Sequence, residues 1–273
     1  MKNYKKIFGV ILASVMTCSM FTACGGGNET SNDWEIDKDK HWHVSESGEK
    51  TDVAEHSLED DFCSVCGAEI VDFDGEVWVQ KHNDRGDEIL SIIYNADGNI
   101  TEHRKTEYTY DEDGNWTFCK EYDNNKLFRE VTYKTVSTED ESSTYPEKVT
   151  TYNEDGTKLF EEYDDNQDVI RETLYAADGT VEYDYTITTE YNEDSYISSL
   201  KKYADDKLIL EIQYDYDADG IQTNERTYVE GKLAQEDFYT NLEGYVYLSK
   251  SVVYNEDGTQ TVTEYDEFGD VIG

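Results

Sequence analysis

Residues 152–163 read YNEDGTKLFEEY: a tyrosine, an Asn/Asp-rich tetrapeptide closed by glycine, and a short run leading to the next tyrosine. The unit recurs as Tyr94 before NADG, Tyr110 before DEDG, Tyr175 before AADG, Tyr216 before DADG, Tyr254 before NEDG and Tyr265 before DEFG. Weaker copies follow Tyr122, Tyr163, Tyr191, Tyr203 and Tyr228. Successive tyrosines mostly stand 11 to 12 residues apart, the length of one strand plus one tight turn. In NEDG a type I turn followed by glycine in the left-handed conformation reverses the chain into an antiparallel neighbour through a G1 bulge. The fold class expected is therefore all-β: tandem antiparallel hairpins over residues 71–273, forming an extended twisted or partly closed sheet.

Period-two alternation supports the strands. Val181, Tyr183, Tyr185, Ile187, Thr189 and Tyr191 fall opposite Glu182, Asp184, Thr186, Thr188 and Glu190, and Leu208, Leu210, Ile212, Tyr214 and Tyr216 repeat the arrangement. Trp116, Phe118 and Tyr122 read the same way, with Cys119 facing away from them. One aromatic and one acidic face are expected, with Tyr183, Tyr185, Leu210, Ile212 and Tyr214 inward. The segment STEDESSTYPE, holding the single proline Pro146, reads as a longer loop.

Composition sets further bounds. The formal charge is -40, with 63 acidic and 23 basic residues, which disfavours nucleic acid and anionic membrane surfaces as partners. So acidic a chain borders on compositions that stay disordered. The 23 tyrosines, 22 of them at or after Tyr94, shift the balance toward folding, because each can bury a ring face and keep its hydroxyl wet.

The first residues read as a targeting segment. MKNYKK is positive, IFGVILASVMTCSMF is apolar but short for a membrane span, and FTAC ends on a cysteine after small residues. This resembles a bacterial lipoprotein signal peptide over 1–23. The resemblance implies diacylation at Cys24, a flexible tether over 24–33 and an extracytoplasmic, membrane-anchored location. Loss of 1–23 removes Lys2, Lys5 and Lys6 and no acid, taking the charge to -43.

The combination of tyrosine, Asx and glycine resembles the YD repeats of RHS-type bacterial surface proteins, whose hairpins coil into a spiralling sheet. The chain departs from that pattern by favouring NEDG and DADG over an arginine-bearing turn, so open, spiral and partly closed sheets all stand as readings.

Residues 34–70 form a His/Cys-rich module: HWH at 41–43, His56 and CSVCG at 63–67. A CxxCG turn presents two thiolates to one ion, and its glycine permits the tight knuckle. With 12, 6 and 2 residues between successive ligands, the expected set is His43, His56, Cys63 and Cys66, with His41 a solvated neighbour. Structural zinc, a Cys63–Cys66 disulfide and a vacant motif are the three readings. The segment is similar to small His/Cys modules of bacterial surface proteins in which a WH pair precedes a histidine and a CxxCG knuckle; some carry two further cysteines where this chain has Ser45 and Ser47.

Other motifs carry less. DYDADG at 215–220 imitates an EF-hand start but has Arg226 at the twelfth position, where glutamate is required; weak calcium binding by stacked acidic turns is the looser reading, and plain turn chemistry the simpler one. Exposed tyrosines could stack on sugars, though most read as core. With no nucleophile elbow, phosphate loop or Ser/His/Asp set in the sequence, the expectation is a non-catalytic lipoprotein presenting a binding or structural surface to an unknown protein or glycan. A metal-handling lipoprotein and a carboxylate-dependent hydrolase are the alternatives.

Overall fold

The computed structural model describes residues 34–137 and 142–272, so Cys24 and the segments on either side of it lie outside the described residues. Within them there is no helix. A small antiparallel sheet holds β1 (Glu35–Ile36), β2 (Lys40–Val44) and β3 (Lys50–Glu55). The large sheet starts with β4 (Leu58–Glu59), β5 (Phe62–Cys63), β6 (Glu69–Phe73), β7 (Glu76–His82), β8 (Glu88–Tyr94) and β9 (Ile100–Tyr110). It continues through β10 (Trp116–Asp123), β11 (Lys126–Ser137), β12 (Ser142–Tyr152), β13 (Lys158–Tyr163), β14 (Val169–Tyr175) and β15 (Val181–Tyr191). The last strands are β16 (Ile197–Ala204), β17 (Lys207–Tyr216), β18 (Gln222–Val229), β19 (Lys232–Leu242), β20 (Tyr245–Tyr254) and β21 (Gln260–Glu264). Each strand pairs antiparallel with its sequence neighbour, and no ladder joins β21 back to β4 among the described residues, so the 18-strand sheet is open. It begins upstream of residue 71, at the strands flanking the cysteine knuckle.

The turns explain why this sequence meanders. In 153–157 the amide of Gly156 donates to the Asn153 carbonyl at 3.1 Å and that of Asn153 to the Thr157 carbonyl at 2.9 Å, with Gly156 at φ +86°. The leading Asx adds its own side chain: Asp217 Oδ1 accepts from the amides of Asp219 and Ile221 at 2.9 and 3.0 Å, the local bonding that makes Asn and Asp turn formers. Three of the weaker copies use a different device. After Tyr122, Tyr203 and Tyr228 the reversal takes two residues, Asn124–Asn125, Asp205–Asp206 and Glu230–Gly231, all at positive φ, the geometry that matches the twist of flanking strands.

Alternation on β15 holds through its middle, where Ile187 is buried and Tyr183 and Tyr185 half-buried while Glu182, Asp184, Thr186, Thr188 and Glu190 are exposed; at its ends, beside bulges, Val181 and Tyr191 are exposed, against expectation. Leu210, Ile212 and Tyr214 are also half-buried. Three further details differ from the sequence reading. First, acids stand on the aromatic face as well: Glu172 lies directly opposite Tyr185 and Glu161 opposite Glu172, and Glu225 opposite Tyr214. Lys202 on that face lies 3.2 Å from Glu172, and flanking tyrosine rings leave these charges half-buried. Second, a bulge at Thr117 turns Trp116 onto the face of Cys119, where its ring lies 5.5 Å from Tyr108 and 5.6 Å from Tyr133. Third, 142–147 is strand, not loop; Pro146 pairs with Tyr133 beside a bulge at Glu147, a position where the missing N–H costs no ladder bond.

Two clusters hold the best-buried side chains. Ile36, Cys63, Cys66, Ala68, Ile70, Val79, Ile92 and Tyr94 join the small sheet to the start of the large one. Cys119, Val131 and Val149 form the other, beneath Tyr108, Tyr133 and Tyr163.

Candidate metal centre

The thiol pair comes from a knuckle that the backbone itself closes. After β5 the Gly67 amide donates to the Cys63 carbonyl at 2.9 Å and the Cys63 amide to the Ala68 carbonyl at 2.8 Å, with Gly67 at φ +70°. Both cysteines are buried thiols, not joined to each other. His56, between β3 and β4, is held twice: its amide donates to the Asp39 carbonyl at 3.3 Å and its Nε2–H to the Asp37 carbonyl at 2.9 Å. With the proton on Nε2, the Nδ1 lone pair points at the thiols, as an outer-sphere carbonyl commonly arranges for a metal-binding histidine.

The fourth member is His41. It is 2% exposed, and its Nδ1 lies 3.4 Å from His56 Nδ1 and 3.8 Å from Cys63 Sγ, while Cys66 Sγ lies 3.5 Å from His56 Nδ1. All four ligand atoms fall within 4.8 Å of one another. A tetrahedral zinc with bonds of about 2.05 Å to nitrogen and about 2.3 Å to sulfur separates two nitrogens by about 3.3 Å and nitrogen from sulfur by about 3.6 Å. The observed spacings are those of such an edge set. The structure therefore brings together His56, Cys63 and Cys66 as expected, but with His41 in the place assigned to His43.

His43 stacks instead on Trp34, ring centroids 3.7 Å apart at 28°. In a regular strand residues 41 and 43 would share a face. The β2–β3 register slips between them, His41 opposite Ala54 and His43 opposite Thr51, with Asp52 at φ +55° supplying the extra β3 residue. The extra residue lies on β3, so His41 and His43 keep a common face, both against the Trp34 ring at 4.6 and 3.7 Å; His43 is taken up by that stack, and His41 is the one whose Nδ1 stands among the thiols. Sequence spacing could not choose between the two histidines, because the contact that takes up His43 comes from Trp34, outside the HWH motif.

Electrostatics in the cluster follow from burial and local donors. Burial holds His41 below its ordinary value, and His56 and His43 push the same way. At Cys63 burial opposes ionisation but is outweighed by the Cys66 amide and by His56, Val65 and Ser57, which bring the thiol down to about 6. Burial pushes Cys66 up to about 11, with Cys63 adding to the rise. A His41 imidazole held toward its neutral form and one ready thiolate suit a divalent ion, whose charge would ionise the second thiol.

The other sequence motifs resolve simply. DYDADG is the last two residues of β17 and the hairpin turn that leads to β18, with Asp217 bonded to nearby backbone amides, so it is not an EF-hand. Cys119 is buried with its Sγ 3.5 Å from the Tyr133 hydroxyl.

No protein-family model matches the chain, and no curated protein matches it in sequence. Among solved structures, a porin-like protein from Bacteroides uniformis is 14% identical and covers 75% of this chain and 84% of its own, with a TM-score of 0.31. Both are β-rich.

Proposed function

We propose that the chain is a lipid-anchored extracytoplasmic protein, acylated at Cys24, whose acidic hairpin sheet is a non-catalytic binding surface. A structural zinc held by His41, His56, Cys63 and Cys66 ties the small sheet to the start of the large one. The observation that carries the zinc reading is the convergence of four ligand atoms from β2, the β3–β4 connection and the β5 knuckle within 4.8 Å. Four protein ligands, three of them buried, complete a tetrahedron and leave no position for substrate, which favours a structural over a catalytic ion. Calcium at the acidic turns finds less support, because the leading Asx oxygens already bond backbone amides. The anchoring reading rests on the FTAC motif at 21–24.

Elemental analysis of the purified full chain tests the metal: one zinc per chain is expected, lost in His41→Ala and kept in His43→Ala. Loss in His43→Ala with retention in His41→Ala would refute the geometry. Anchoring is read separately, by mass spectrometry for a diacylglyceryl group on Cys24 and by the membrane fraction of Cys24→Ala; equal membrane association of that variant would sink it.

A further inference from the structure

Between the small sheet and β7–β9 lies a cavity of about 1020 Å³. We propose that it binds a neutral oligosaccharide, an inference that rests on the binding-surface reading and gives it a place and a ligand class. The volume is at the upper end of the range for small-molecule sites, room for several sugar rings.

Its walls are aromatic from both sides. Trp42 comes from the small sheet and Trp34 from the residue just before it, and Tyr94, Tyr108 and Tyr110 from β8 and β9. Flat rings of this kind combine an apolar face with a polar edge, which complements the apolar face and hydroxyl rim of a sugar ring. Trp42 carries Lys50 Nζ 3.4 Å from its ring centroid on one face while still lining the cavity. His41 and Trp42 are consecutive on β2, and the strand that gives His41 to the thiols therefore gives Trp42 to the cavity.

The charges decide the ligand class. In a chain with 63 acids and 23 bases, the cavity wall is close to balanced: Lys81, Arg85 and Lys105 against Glu35, Asp37, Asp84 and Glu107. The cations are already engaged. Lys81 Nζ donates to the Trp34 carbonyl at 3.0 Å, Lys105 pairs with Glu107 at 2.9 Å and Arg85 lies over the Tyr110 ring at 4.5 Å. With four acids and three bases on the wall, and the bases already engaged, neither an anion nor a cation meets a site of a single opposite sign. Hydroxyl groups both donate and accept, so a polyol can match a wall of mixed donors and acceptors, which also includes Asn124, Asn125, Thr106 and His103.

The test is calorimetry and tryptophan fluorescence on the full zinc-loaded chain. The probes are neutral glucan, mannan, galactan and xylan oligosaccharides of two to six sugars, beside sulfated oligosaccharides and inorganic phosphate. Saturable binding of at least one neutral class is expected, weakened at least tenfold in Trp42→Ala and in Ile100→Arg, which fills the mouth from the cavity wall. Tyr245→Ala, on the exposed far end of the sheet, should bind as the parent does. No neutral binding, binding of the charged probes alone, undiminished binding in both cavity variants, or equal loss in Tyr245→Ala would each overturn the proposal. Zinc content, melting temperature and membrane association measured on the same preparations separate this outcome from failure of the anchoring or zinc readings.

Discussion

Replacing Gly156 by alanine strains a turn and presses it against its neighbour, and a second glycine separates the two effects. Gly156 has φ +86° and an added Cβ would lie 3.1 Å from the Ala177 Cβ, because turns 153–157 and 176–180 stack along one edge of the sheet; Gly258 has φ +84° and nothing within 4 Å. The left-handed conformation costs an L-residue roughly 1–2 kcal/mol. The stiffer unfolded chain offsets about 0.4–1 kcal/mol of that. Gly258→Ala should therefore lose about 1 kcal/mol, and Gly156→Ala more, by whatever the 3.1 Å contact requires the Ala177 turn to yield. Every substantial strand contact joins sequence neighbours, so the sheet should open locally in the manner of a linear repeat array. Amide hydrogen exchange is the assay. One kcal/mol is about a fivefold change in an opening constant, so amides of β12 to β14 should exchange at least fivefold faster in Gly156→Ala, and those of β20 and β21 about fivefold faster in Gly258→Ala, each leaving the other region unchanged. The mirror variant Ser195→Gly, which relieves a serine at φ +67° in the equivalent turn position, should slow exchange in β15 and β16. Uniform acceleration over the whole sheet, or no excess in Gly156→Ala, would refute the reasoning.

Two further outcomes follow from charge. Burial raises the carboxyls of Glu88, Glu161 and Glu225 above the ordinary glutamate range; an acid held more protonated when folded costs stability while ionised, so stability should rise as pH falls from neutral through those raised values toward the unfolded value. Asp111, Asp155, Asp178 and Asp257, lowered by the Asn115, Thr157, Thr180 and Thr259 side chains and amides, act oppositely: their contribution is present above the unfolded aspartate value and lost only below it, which puts the melting maximum near pH ~5. Glu225→Gln should raise the melting temperature at pH 7 and have less effect at pH 5, and equal destabilisation at both would refute the assignment. If the 40 excess negative charges repel across the sheet, millimolar Ca²⁺ should raise the melting temperature more than sodium chloride of equal ionic strength, whereas screening alone makes the two salts equivalent.

Local chemistry made most of the fold legible. Asx side chains bond backbone two residues on, glycine accepts positive φ, and a strand must alternate, so turns such as 153–157 and the two faces of β15 follow from residues within a dozen positions of one another. The cysteine knuckle and His56 were readable for the same reason, since CxxCG closes on itself. What the sequence could not determine depends on register and on long-range contacts. Trp34 stacks on His43 and leaves His41 to the thiols, the bulge at Thr117 moved Trp116 to the face of Cys119, and the one at Glu147 let Pro146 enter β12. A single extra residue reverses every side chain beyond it, and whether it is accommodated is decided by the partner strand. Tertiary structure alone also left β21 unpaired with β4, set Glu172 between Tyr185 and Glu161, and formed a cavity between residues 34–42 and 81–125, because these outcomes need surfaces that meet only once the sheet has formed.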